Sequence, residues 1–280
     1  MAVSWTRKDL RREVLARFGD LVVATATTDG TTTTLTDTAT LFGESSTYAG
    51  RTAYVTGGTA ANLGQTRRVS GYNGTTQTLT FQTALPAAVA EGDEVELTNA
   101  YGIGVTHDGV HRSLNWAIAI ARNAALVPAY EEVADTFDGR EARTVALPEN
   151  WVGIESVDYQ HPTSAEWKPV KHARKRGQDG WSVDHANRTV IINGDWAGKL
   201  DGYDLRLYGY TMQDPLTSDD DTIAIDIEWV TDKATGHLML DVSRSRAGAD
   251  WGNQALYYEQ QARESLTMLT PNLGPSFTRI

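Results

Sequence analysis

Apolar positions along this chain follow two rhythms. Val110, Leu114, Ala117, Ile118, Ala121 and Ala125 recur at the helical period. The spacing predicts an α-helix capped by Thr106 or Asp108. Trp116, Ile120 and Val127 give it a second apolar side, so it is expected to be covered on more than one face and to act as a hub between layers. Pro128 bends or ends it, and a short helical piece is expected from Ala129 to about Ala134. Two further stripes come late in the chain. Ile227, Val230, Ala234, Leu238 and Val242 form one, interrupted at Gly236 and preceded by Asp219, Asp220 and Asp221. Trp251, Ala255, Tyr258, Ala262, Leu266 and Leu269 form the other, which Pro271 stops. Facing the hub, these stripes predict a helical-bundle core. A first helix reaches about Phe18, capped by Ser4 or Thr6, with Leu10, Val14 and Phe18 on one side. Arg7, Lys8, Arg11, Arg12 and Arg17 surround the other side, which reads as a solvated surface or as a docking face for an acidic partner.

The second rhythm is alternation. From Val22 to Leu97 short Thr- and Val-rich runs are separated by turn signals at Asp29-Gly30, Gly57-Gly58 and Asn73-Gly74, where the backbone favours positive φ. Asn73-Gly74 between two strand-like runs is the clearest hairpin. Arg67 and Arg68 fall mid-strand, on opposite faces. A second antiparallel sheet is expected from Thr144 to Leu147, Ile154 to Tyr159, Glu166 to Val170, Trp181 to Val183, Thr189 to Ile192 and Asp204 to Tyr210. The expected class is α+β: an α-helical bundle core with an inserted small antiparallel β barrel or sandwich and a second antiparallel β sheet. The parts are an N-terminal helix (1–21), a small β module (22–98), a bundle with a C-terminal extended arm (99–135 and 222–280) and a sheet domain (136–221). The arm carries three apolar anchors, Leu273, Phe277 and Ile280.

Composition narrows the function classes. At 280 residues the chain can bury a sizeable core. It has no run long enough to cross a bilayer as a helix and no secretory leader, so a cytoplasmic origin is expected. Having no cysteine, it can form neither disulfides nor thiolate metal sites. A net charge of -11 argues against broad nucleic-acid binding and suits a surface past which DNA slides without sticking.

Candidate chemistry is sparse. His107-Asp108-Gly109-Val110-His111 approaches the spacing of a zinc helix, but Asp replaces the Glu, Gly109 marks a helix start and no third ligand stands out. Nucleophile-elbow and phosphate-loop motifs are absent. The expectation is therefore no catalytic residue, metal or cofactor. One dense basic cluster, Lys168, Lys171, His172, Arg174, Lys175 and Arg176, lies between Trp167 and Trp181. It reads as a solvated hairpin tip, or as a loop that contacts an acidic neighbouring subunit or DNA phosphates. The eight tryptophans are spread over most segments, which favours burial over a sugar-stacking platform.

The order of parts resembles the head-to-tail adaptor proteins of tailed bacteriophages. The likeness runs through the N-terminal helix, the Thr/Gly module (Tyr48-Ala49-Gly50, Gly64-Gln65-Thr66-Arg67-Arg68-Val69, Asn73-Gly74) and the hub helix. It continues in Thr144-Val145-Ala146-Leu147-Pro148, in Leu205-Arg206-Leu207-Tyr208 and in the paired C-terminal helices with their tail. The resemblance implies a non-enzymatic virion part at the neck, assembled in the host cytoplasm into a ring, usually of twelve copies. Such a ring would bind the portal after packaging, extend the DNA channel without reading sequence, and present a surface to the tail or the next neck protein, with no membrane involved. It implies portal contacts from the helices and from Leu273, Phe277 and Ile280. Two alternatives from other classes are a tail-associated protein that binds glycans or cell surfaces, and a hydrolase whose site would need converging carboxylates or histidines.

Overall fold

The computed structural model describes residues 4–19, 21–98, 105–121, 126–133, 143–160, 163–173, 179–193, 196, 203–245, 251–269 and 278–279. The chain divides into two compact units, Met1–Ile120 with Pro215–Thr267 and Ala121–Asp214 with Met268–Ile280.

The first unit is built on a six-stranded antiparallel sheet. Its strands are β1 (Val22–Thr25), β2 (Thr34–Thr36), β3 (Thr52–Gly57), β4 (Thr66–Asn73), β5 (Thr78–Phe81) and β6 (Glu94–Thr98), in the order β1-β6-β3-β4-β5-β2. The ends meet where Thr27 N donates to Thr36 O at 2.9 Å and Thr28 bridges Thr36, so the sheet closes into a small barrel. Alternation fills it: Leu35, Val69, Leu79, Val95 and Leu97 point into the core, while Thr34, Thr36, Thr78 and Thr80 stay outside. Asp37, buried at the seam, accepts from the backbone N–H groups of Thr25, Ala39 and Thr40 and from the Thr40 hydroxyl. Burial alone would raise its pKa; these donors outweigh burial and hold the carboxyl below its usual range. In the β4–β5 hairpin Asn73 Oδ1 accepts from Thr75 N and Thr76 N, and positive φ falls at Gln77 instead of Asn73 or Gly74. Gly74 is required for a different reason: a Cβ there would lie 2.4 Å from Gly43 O.

Four helices are described, all belonging mainly to this unit: α1 (Arg7–Arg17), α2 (His107–Ala121), α3 (Ile227–Ser245) and α4 (Trp251–Leu269). Thr6 caps α1 in a reciprocal capping box with Asp9. On α2, Val110, Leu114, Ala117, Ile118 and Ala121 are buried, but Trp116 is half-buried and Ile120 exposed, so the helix is covered on one face only. On α3, Gly236 lets the α4 backbone approach, since a Cβ there would sit 3.3 Å from Ala255 O. Ala255 and Ala262 of α4 are buried, while Leu256 and Tyr257 face outward.

The expected helical-bundle core is not what the chain forms. Strands outweigh helices, 36% against 28%, and the architecture is mixed α/β built on antiparallel sheets. The physical reason lies in the partners. An apolar stripe requires only that a helix face be covered, and here α1 and α2 lie against β3 and β6 through contacts described below. The helical piece expected after Pro128 is also overturned: Leu126–Val133 is strand β7, paired along its whole length with β13 (Asp204–Met212). Pro128 is tolerated because β7 is an edge strand.

The second unit holds a sheet of order β10-β9-β13-β7, where β9 is Trp151–Gln160 and β10 is Trp167–Pro169. A second sheet has the order β11-β12-β8, from Gly180–Asp184, Thr189–Asn193 and Arg143–Ala146. They share one core, with Ile154, Val157, Leu205 and Leu207 from the first sheet and Val145, Trp181, Val190 and Ile192 from the second. At the last residues of the described chain β14 (Thr278–Arg279) pairs with β9.

Candidate interaction surfaces

The densest charged cluster surrounds α1 and β6. Arg11 is wholly buried and grips Glu96 with two bonds, Nε to Oε2 at 2.8 Å and Nη2 to Oε1 at 3.0 Å; its Nη1 donates to Asp219 Oδ1 at 2.6 Å. Arg12 donates to Glu96 and Glu94, Lys8 pairs with Glu94, Arg7 with Asp219 and Arg17 with Asp232. Burial would raise the pKa of Glu96, but the donors around it, His107, Arg11 and Arg12, hold it down to about 2. His107 Nε2 stands 3.5 Å from Oε2, so the shorter arginine bonds dominate that balance. Burial and the cations of Arg7 and Arg11 push His111 down to about 4, so at neutral pH its ring is uncharged and its Nε2 can accept from Arg11 Nη1 at 3.0 Å. Neither reading of the basic face of α1 survives. Its cations are spent on carboxylates of this same unit, which leaves the face neither broadly solvated nor free for an acidic partner.

His107, the first residue of the zinc-like motif, stacks on Tyr54 of β3 at 4.5 Å between ring centroids, and His111 meets the same ring edge-on. Among the described residues no group of three or more His, Asp or Glu side chains is placed to hold a metal. A cavity of about 440 Å³ opens between α2 and α3, lined in part by Arg112, Ser113, Trp116, His237 and Asp241. Ser113 Oγ lies 3.1 Å from His237 Nδ1, and the imidazole stacks on Trp116 at 4.0 Å. The residue types are those of a hydrolytic triad, but Ser113 is 2% exposed. Its hydroxyl is a buried polar group satisfied by the ring, with little access for an attacking role.

In the second unit the basic cluster is described in part. Lys168 on β10 is exposed, 3.8 Å from Glu166, which is more exposed still. Lys171 is exposed, and its carbonyl accepts from Trp181 N at 2.9 Å. His172 packs its ring on Trp181. Arg174, Lys175 and Arg176 lie outside the described residues. The hairpin-tip reading does not hold, because β10 belongs to one sheet and β11 to the other: the segment is a crossover. Leu273, Phe277 and Ile280 likewise lie outside the described residues.

One cluster was missed from the sequence. Arg206 on β13 sits over the ring of Trp167 at 4.1 Å, beside Tyr130 and Tyr208, and is paired to Glu132. Tyr130 is 65% exposed, so this is an outward face. Trp, Tyr and Arg are the side chains that most often anchor protein interfaces. Alternation along β13 could have put Arg206 and Tyr208 on one face, but only strand pairing brings Tyr130 and Trp167 to them. None of the eight tryptophans is exposed.

The fold and these surfaces define a two-unit antiparallel β protein with helical cladding and no evident catalytic constellation among its described residues. No protein-family profile matches the chain, and no curated protein matches it.

Proposed function

We propose that this chain is a non-enzymatic structural protein of a tailed-phage virion, a head-to-tail adaptor. Copies form a ring that binds the portal after packaging, extends the DNA channel and carries the tail attachment surface. The observation that carries this reading is an extended strand, Thr278–Arg279, laid on the edge of β9 by only two residue pairs. An arm held by so short a ladder can exchange partners at little cost in hydrogen bonds. Leu273, Phe277 and Ile280 are its proposed portal anchors. The acidic balance of the chain favours a channel that passes DNA without retaining it, and the Arg206 cluster supplies an outward face of interface character.

Electron microscopy of particles from a phage carrying a nonsense mutation in this gene tests the reading. The expected result is DNA-filled or leaking heads without tails. Complete particles that fail only to adsorb would replace it with the cell-surface-binding reading.

A further inference from the structure

The cavity between α2 and α3 lies wholly within the first unit. A Cβ on Gly109 would meet Leu238 at 3.6 Å, Ser113 bonds to His237, and Lys233 Nζ lies 5.5 Å from the centre of the Trp116 ring. The two helices therefore run in opposite directions along the cavity.

Ser113 sets the state of the His237 ring. The hydroxyl is buried, and among the described residues its hydrogen-bond partner is His237 Nδ1, 3.1 Å away. A buried O–H without an acceptor is costly, so the hydroxyl donates to Nδ1. Burial lowers the pKa of His237, which keeps the ring neutral at neutral pH. Its proton then stands on Nε2, a donor with no partner among the described residues. Stacking on Trp116 at 4.0 Å fixes the plane of the ring.

Two opposite charges flank this donor. Arg112 on α2 and Asp241 on α3 both line the cavity and are exposed, and among the described residues neither makes a hydrogen bond or an ion pair. Asp241 follows His237 by one helical turn, and Arg112 stands beside Ser113, so the two charges are roughly 5 Å apart along the helix axes. Lys233, the cation near Trp116, is already paired with Glu259. Leu238 and Val242 are buried and give the cavity an apolar floor. A simple anion would be repelled by Asp241 and a simple amine by Arg112. A ligand carrying both charges satisfies both walls.

We infer that this cavity binds a small amino-acid zwitterion with an apolar side chain: Arg112 and His237 Nε2 donate to its carboxylate, Asp241 accepts from its ammonium, and the floor takes its side chain. The volume of about 440 Å³ falls in the range of small-ligand clefts. Ser113 is a positioning residue, which holds the tautomer and touches no ligand atom. The inference is independent of the adaptor reading, since it needs neither a ring nor an arm.

The full-length chain, labelled with nitrogen-15 in its histidine rings, is titrated with L-leucine, L-valine and L-phenylalanine. Two leucine analogues are compared: isocaproate, which lacks the amino group, and isoamylamine, which lacks the carboxylate. Calorimetry reads affinity, and the ring signals of His237, assigned from His237→Gln, read the place of binding. Saturable binding that moves those signals is expected for at least one of the three amino acids. Each leucine analogue should bind roughly tenfold more weakly than leucine, the loss of one charge-assisted contact. Asp241→Asn should bring leucine down to the affinity of isocaproate, and Arg112→Gln to that of isoamylamine. Both side chains are exposed, so both variants should melt as the wild type does. No saturable binding of any of the three amino acids into the millimolar range overturns the inference. So does binding that leaves the His237 signals unmoved, and so does isocaproate binding as tightly as leucine.

Discussion

At the scale of single residues the buried charges around α1 set how the protein responds to acid. Glu96 is held down to about 2 from an ordinary 4.5, so it stabilises the fold fully above 4.5 and loses that contribution as pH falls toward 2. Glu94 and Asp219 are shifted the same way, burial being outweighed by their cationic partners. His111 works through its neutral form: held at about 4 against 6.5, it must take up a proton on unfolding below pH 6.5, which also costs stability as pH falls. His172 and His237, lowered by burial, add in the same window. Unfolding free energies from urea titrations should therefore decline from pH 6.5 downward. In His111→Asn the decline between pH 6.5 and 4 should be shallower by up to one proton's share of the slope. An unchanged profile would mean that His111 is not the buried neutral ring described here. The chain itself displayed the cations of α1 but not their fate. Glu96 and Asp219 lie 85 and 208 residues from Arg11, and no local pattern announces such a meeting.

At the scale of elements, period and punctuation located most strands and all four described helices, because each has to present one apolar face wherever it packs. They failed where a short segment could satisfy either period. Residues 126–133 carry Pro128 and adjacent glutamates, and only eight pairs to β13 make them a strand. Glycines divide in a similar way. Gly209 lies at a register shift between β13 and β9, where a Cβ would fall 2.4 Å from Gly153 O and from the Trp151 ring. Gly71 in β4 has open space around its missing side chain. Gly209→Ala should cost about 1–3 kcal/mol, the usual range for overpacking, whereas Gly71→Ala should be close to neutral in the same denaturation assay. Equal effects would show that the approach of β13 to β9 is looser than it stands here. Sequence alone treats the two glycines alike, since both interrupt a strand.

For the whole molecule, the stripes of α2, α3 and α4 correctly demand cover but do not say what provides it, and a bundle was the simplest answer that the order of helices allowed. Among the described residues strands supply more of the buried apolar side chains than helices do, and each unit has a hydrophobic cluster drawn mainly from strands and the turns that join them. Charge is the property that still acts at this scale. In a chain of net -11, the cations of α1 are consumed internally, so the stretch from Lys168 to Arg176 is left as the densest basic run. In the proposed ring, copies that repel through their overall charge would need a local attraction to associate, and this stretch has the charge to give it. Replacing Lys168, Lys171, Arg174, Lys175 and Arg176 by Gln should weaken association of copies, measured by sedimentation. The loss should be larger at low ionic strength than at high salt, where the Debye length shrinks to a few ångströms and the wild type has already lost the attraction. Association unchanged at both salts would remove the basic stretch from the contacts between copies and leave them to uncharged surfaces.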